Sequence, residues 1–248
     1  MNNSEDLFLQ RFLVLQIKVI EILTTNSLFI KPGITELDLK DQIEKDFHTK
    51  GISGFWYPTL VYAGNWTGTP FSRRFHQSSN EVRVQESDIV IVDVTPLRET
   101  IWANYCYTHL VEEDKFFRSL INDNKTLLED VKQFALTKAS SHGDIYFYCM
   151  DCMKKLNLEL IGKENVGHAI FELKPNHKKV DDMKDGERIY IGEEHQDLII
   201  DGLLSIEPQV SRINPKDGIR YGSKFEEIIF AESGVKYPFD QLKNLISI

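Results

Sequence analysis

The stretch Asp88-Ile89-Val90-Ile91-Val92-Asp93-Val94-Thr95-Pro96 decides how this chain is read. Its β-branched run predicts a buried strand, yet Asp93 sits inside it. An isolated carboxylate is costly to bury. Asp93 is therefore paired, hydrogen-bonded or metal-bound, unless it lies at a strand end and faces a turn. Residues 101–111, rich in Tyr, Trp and Thr, predict a second strand. A tight turn at Arg98-Glu99 would pair the two strands with Asp93 directly opposite Asn104, both side chains on one face.

On the N-terminal side, apolar residues recur at mixed three- and four-residue spacing over residues 6–25, which predicts a helix with a wide buried face. Lys31-Pro32-Gly33 ends it, and Thr35 is a candidate N-cap for a second helix carrying Leu37, Leu39 and Ile43. On the C-terminal side, residues 112–136 and 144–158 return to helical spacing. The remainder predicts strands at 167–173, 188–191, 198–210 and 224–231, then a closing helix from Phe239 to the end. Helices followed by strands in this order indicate an α+β domain, expected to span residues 1–248 as one unit.

With 42% hydrophobic and 27% charged residues, the 248-residue chain can bury a sizeable core. Its formal net charge of -9 argues against a nucleic-acid partner, because an acidic surface repels phosphates. Three cysteines, Cys106, Cys149 and Cys152, suit a reducing compartment better than a disulfide framework. Acidic Ser4-Glu5-Asp6 precedes the first apolar stretch where a signal peptide would be basic. No run approaches the length of a membrane span. A cytoplasmic location without membrane contact is the expectation. Cys149-Met150-Asp151-Cys152 has the spacing of half a zinc site, but it falls inside a helix and lacks two further ligands nearby.

Three more residues share the character of Asp93. Glu207 ends an apolar strand before Pro208, Glu226 lies in Lys224-Phe225-Glu226-Glu227, and His168 lies in Val166-Gly167-His168-Ala169. Taken singly, each carboxylate also reads as a solvent-facing strand residue, and the histidine as a satisfied core histidine. Together they offer the donor set of a hard or borderline divalent ion, which can acidify a bound water and polarise a carbonyl.

The order of these motifs resembles the pita-bread family of methionine aminopeptidases, aminopeptidase P, prolidases and creatinase. Lys31-Pro32-Gly33-Ile34-Thr35-Glu36-Leu37 is similar to its helix-opening "PG-x-TE". Tyr62-Ala63-Gly64-Asn65 with Phe75-His76 resembles its "SGxN … H" stretch, and Ser87-Asp88 to Asp93-Val94 its "GDxVxxDxG". Gly167-His168, Ser205-Ile206-Glu207-Pro208 and Phe225-Glu226 with Ser233-Gly234 are similar to its later ligand motifs. The resemblance implies a pseudo-twofold curved antiparallel sheet flanked by helices, with a layout nearest the compact methionine aminopeptidases.

By the same resemblance Asp93, Asn104, His168, Glu207 and Glu226 occupy the five metal-ligand positions, and His76 that of the substrate-side histidine. Their cofactor would be one or two ions of Mn, Co, Fe or Zn. The implied chemistry is attack by a metal-bound hydroxide on a peptide or small amide, with Glu207 and His76 as catalytic residues, in a monomer or homodimer. Two departures stand out. Asn104 replaces a bridging aspartate, and an amide bridges poorly, which favours a single ion. The histidine expected after "GHGxG" is missing: Leu173 lies near its place, and His177 is only a candidate to substitute for it spatially. A pseudoenzyme or binding module on the same scaffold, or a non-peptidase enzyme with one metal or none, is the alternative.

Overall fold

Two helices followed by antiparallel strands occur twice along the chain. The computed structural model describes residues 3–52, 54–70, 72–162, 165–177, 179–183 and 187–245. The first repeat comprises α1 (Asn3–Asn26), α2 (Glu36–Thr49), β1 (Gly54–Ala63), β2 (Ile89–Arg98), β3 (Ile101–Trp102) and β4 (Tyr105–Leu110). The second starts with α3 (Lys115–Thr137) and α4 (His142–Lys155), then β5 (Glu159–Leu160), β6 (Asn165–Ile170), β7 (Tyr190–Gly192) and β8 (Gly202–Ile206). It ends with β9 (Val210–Ile213), β10 (Arg220–Ser223), β11 (Glu227–Glu232), β12 (Val235–Pro238) and α5 (Phe239–Leu245). The last part of the expected closing helix, residues 246–248, lies outside the described residues.

Each repeat has its own core. Leu9, Phe12, Leu13, Val19 and Leu23 of α1 and Leu39, Ile43 and Phe47 of α2 pack with Val90, Val92 and Val94 of β2. Leu120, Leu127 and Val131 of α3 and Ile145, Cys149 and Met153 of α4 pack with Val166, Leu204, Ile206 and Ile229. Strand β2 lies between β1 on one side and β3 and β4 on the other. The later strands form a five-stranded sheet in the order β12-β11-β8-β6-β7 and a three-stranded sheet β10-β9-β5. Alternation sends the valines of β2 toward the helices and leaves Asp93 and Thr95 on its other face.

Thr35 caps α2 as expected, its hydroxyl accepting from the Asp38 amide at 3.0 Å. Thr35→Ala should lower stability by about 1 kcal/mol in urea unfolding. An unchanged midpoint would show that another group satisfies that amide.

Three expectations need correction. The β2–β3 turn is Glu99-Thr100, one residue later than the sequence suggested, with Arg98 paired to Ile101. Glu99 adopts φ 59°, a left-handed conformation uncommon for glutamate, so nothing in the sequence marked it as a turn residue. Asp93 consequently faces Cys106 instead of Asn104. The step of two keeps Asn104 on the same face.

Second, the strand expected over 101–111 is interrupted. The Ala103 amide donates to the Pro96 carbonyl at 2.9 Å, but proline has no N–H to return. Gln16 of α1 takes up the loose backbone, donating to the Asn104 carbonyl at 2.6 Å and accepting from its amide at 3.1 Å.

Third, the strand expected over 198–210 divides at Glu207-Pro208, β8 joining the five-stranded sheet and β9 the three-stranded one. Strand β11 starts only at Glu227, so Lys224 and Glu226 lie in the extended segment before it.

Candidate metal centre

The break at Glu207, the gap at Asn104 and the approach to β11 place side chains from separate strands in one buried cluster. Asp93 projects from the middle of β2. His168 projects from β6 and pairs across the ladder with Ser205 of β8. Glu207 follows β8, its amide held by the Val166 carbonyl at 2.8 Å. Asp93, Asn104, His168, Glu207 and Glu226 all lie in this cluster, linked directly or through Ser205 and Lys224.

His168 Nε2 lies 3.1 Å from Glu207 Oε1 and 3.2 Å from Asn104 Nδ2. The Asn104 amide nitrogen also reaches Glu207 Oε2 at 3.3 Å and Ser205 Oγ at 3.5 Å. Ser205 Oγ in turn donates to Glu226 Oε1 at 2.9 Å. Glu226 Oε2 is buried and, among the described residues, has no hydrogen-bond partner. Trp102, stacked on Trp56, covers His168 with ring centroids 5.5 Å apart.

Two further side chains belong to the cluster. Lys224 Nζ lies 2.5 Å from Asp93 Oδ2 and 2.9 Å from Glu207 Oε2. Donor atoms of Asp93, Cys106 and Glu207 lie within 4.8 Å of one another. The sequence carried signals for both. Lys224 is two residues from Glu226, a spacing that places side chains on one face of an extended segment. Cys106 needed only the correct hairpin register.

Burial and charge set the protonation of the cluster. Burial holds His168 below the usual histidine range, with the Arg188 charge adding to the effect, so it is neutral. Burial also pushes Glu226 well up, and the Glu207 charge reinforces it. Glu207 goes the other way. Burial alone would raise it, but Lys224 and His168 hold it well below the usual carboxylate range. Lys224 is held well above the usual lysine range, the Asp93 and Glu207 charges outweighing burial, whereas burial raises Asp93 above the usual carboxylate range in spite of the lysine beside it.

His76 lies in a separate cluster. Its Nε2 meets Glu36 Oε2 at 2.5 Å, and its ring stacks on Trp66 with centroids 4.1 Å apart. Glu36 is fully buried and accepts from the Ala63 amide at 2.7 Å. Burial pushes Glu36 up to about 8 and lowers His76, so the pair is held by a neutral carboxyl and a neutral imidazole. Tyr62 packs edge-on to His76 at 4.9 Å. His177 is buried with its Nε2 4.0 Å from Glu187, and Leu173 belongs to the first core.

Imidazole, carboxylate and amide oxygen are suitable donors for a divalent ion, and Glu226 Oε2 is an orphaned one. The arrangement nevertheless does not fit a two-metal centre. An ammonium already neutralises the Asp93 and Glu207 oxygens that two ions would share, and it cannot act as a ligand. Asn104 turns its amide nitrogen, a donor, toward Glu207 Oε2 and Ser205 Oγ, and so offers no oxygen there.

Antiparallel strands of two repeats, curved around this cluster and backed by paired helices, form the pita-bread fold. Residues 18–232 match the profile of metallopeptidase family M24, and the chain belongs to that family. The structure is similar to an X-Pro aminopeptidase from Thermotoga maritima, with a TM-score of 0.70 at 13% identity over 93% of this chain and 60% of that one. It is similar to a methionine aminopeptidase from the same organism, with a TM-score of 0.71 at 17% identity over 96% and 97% of the two chains. A prolidase from Pyrococcus furiosus gives 0.70 at 14% identity over 96% of this chain and 64% of that one. The chain thus spans only 60% of the length of that X-Pro aminopeptidase. No curated protein matches the sequence significantly. No described helix is long and apolar enough to cross a membrane.

Proposed function

We propose that this chain is a catalytically divergent M24 member that binds a peptide or small amide without cleaving it by two-metal hydrolysis. The observation that carries this reading is Asn104, whose amide nitrogen lies among His168 Nε2, Glu207 Oε2 and Ser205 Oγ. A donor in that position completes a hydrogen-bonded network and contributes no charge to hold cations. The net charge of -9 favours a ligand other than nucleic acid. Buried free thiols at Cys106, Cys149 and Cys152 suit a reducing compartment.

Elemental analysis of the purified protein, run beside turnover assays on Xaa-Pro and methionyl peptides, tests the proposal. We expect well under one ion per chain and no turnover above background. A metal content near one or two ions together with turnover would overturn it.

The second reading, a hydrolase using one divalent ion, draws support from the unpartnered Glu226 Oε2 close to the His168–Glu207 pair. His168, Glu207 and Glu226 would hold that ion, and Glu207→Gln should then abolish turnover.

A further inference from the structure

We infer that Lys224 is the resident cation of this site: its ammonium, 2.5 Å from Asp93 and 2.9 Å from Glu207, stands in for the divalent ion these carboxylates would otherwise need. The inference deepens the binding reading above by saying how the site dispenses with metal.

Three observations support it independently. The first is electrostatic. Two buried carboxylates left without a cation would each carry a desolvation penalty of several kcal/mol, and the side chain that meets both is a lysine only 7% exposed. A second cation within bonding distance of the same oxygens would be repelled strongly by the ammonium.

The second is mechanical. The lysine backbone is gripped on both sides by one residue of β4. The Lys224 amide donates to Thr108 Oγ1 at 2.8 Å, and the Thr108 hydroxyl donates to the Lys224 carbonyl at 2.8 Å. Ser223 Oγ joins the same hydroxyl at 3.2 Å and accepts from Asn124 of α3 at 3.1 Å. The stem therefore starts from a fixed point and is aimed at the cluster, unlike a surface lysine that folds inward by chance.

The third is the charge balance. Asn104 removes a negative charge from the bridging position, and Lys224 adds a positive one beside it. Both changes lower the attraction for cations, and each makes the other tolerable.

The test compares wild type with Lys224→Met, which keeps the stem and removes the charge, and with Lys224→Arg, which keeps the charge. Urea unfolding is followed in EDTA and in Mn2+, and Mn2+ binding is measured by calorimetry. Wild type and Lys224→Arg should show no saturable Mn2+ binding and the same midpoint in both solutions. Lys224→Met should unfold at lower urea in EDTA, recover in Mn2+, and bind the ion saturably, at least about tenfold more tightly than the weakest binding the calorimeter would have detected in wild type. Lys224→Met that binds Mn2+ no better than wild type would refute the inference.

Should that variant fail to fold, the wild-type lysine is observable directly. A buried, hydrogen-bonded ammonium gives a slowly exchanging 15N-coupled signal, assigned by its loss in Lys224→Arg. It should survive stoichiometric Mn2+, and its paramagnetic broadening by one equivalent would overturn the inference. The two failures are distinguishable. Metal-dependent turnover by wild type defeats both readings, whereas an unaltered metal response in Lys224→Met, with wild type still inactive, defeats only the role of Lys224.

Discussion

Gly167→Ala is expected to cost about 3 kcal/mol or more, a large share of the stability of an ordinary domain. A Cβ at Gly167 would lie 2.0 Å from the Ser205 carbonyl oxygen and 3.1 Å from Ile191 Cδ1. The oxygen is backbone within the β6–β8 ladder, where Gly167 faces Ile206, so no side-chain rotation relieves the clash. Strand β6 would have to move off β8. That ladder also sets His168 beside Ser205, and the Glu207 amide beside the Val166 carbonyl. Loss of stability should therefore come with loss of the His168–Glu207 contact. Urea unfolding gives the first, and the imidazole NMR shifts of His168 give the second. A loss below about 1 kcal/mol would mean that the two strands can separate cheaply, contrary to their buried packing.

The second large effect concerns pH and the Glu36–His76 pair. Glu36 has no solvent exposure, and its carboxyl is raised from 4.5 to about 8 by burial. Below pH 4.5 both folded and unfolded chains keep the proton. Between 4.5 and about 8 the unfolded chain releases it and the native chain retains it. Stability contributed by the neutral carboxyl should then fall by roughly 1.4 kcal/mol per pH unit until the native group ionises.

His76 works in the opposite direction. Its lowered affinity for protons makes its contribution rise with pH up to the usual histidine value of 6.5. The Glu36 slope is therefore cleanest from pH 6.5 to about 8. Glu36→Gln imitates the protonated acid, since its amide can still accept from Ala63 and donate to His76. The variant should match wild type in acid and lack the Glu36 part of the slope above pH 6.5. Parallel curves for the two proteins would show that Glu36 is ionised in the folded state.

Single candidates for this site could be read along the chain, whereas their convergence was implied only by the resemblance to the pita-bread family. Asp93 in an apolar run, Glu207 before a proline and His168 in a strand each conflict with simple burial, and such conflicts are visible in sequence. The Thr35 cap and the helix pairs are similarly short-range, resting on periodicity and on hydrogen bonds within a turn. The Arg98–Thr100 turn was not legible. Its left-handed residue is a glutamate, and one residue of error there moves the partner of Asp93 from Cys106 to Asn104.

Local residue pattern determined that this is an α+β chain with paired helices and antiparallel strands, and it left open whether the strand carboxylates face the core or solvent. Only the tertiary structure decided what neutralises them. Lys224 is 131 residues from Asp93 along the chain, and no periodicity records a charge pair across such a distance. The pairing exists because Thr108 of β4 holds the lysine backbone on both its amide and its carbonyl, within reach of Asp93 on the neighbouring β2. Likewise, whether Asn104 offers its oxygen or its nitrogen depends on acceptors, Glu207 Oε2 and Ser205 Oγ, supplied by another part of the chain. Side-chain identity is local, but the electrostatic work asked of it is set by neighbours brought together only by folding.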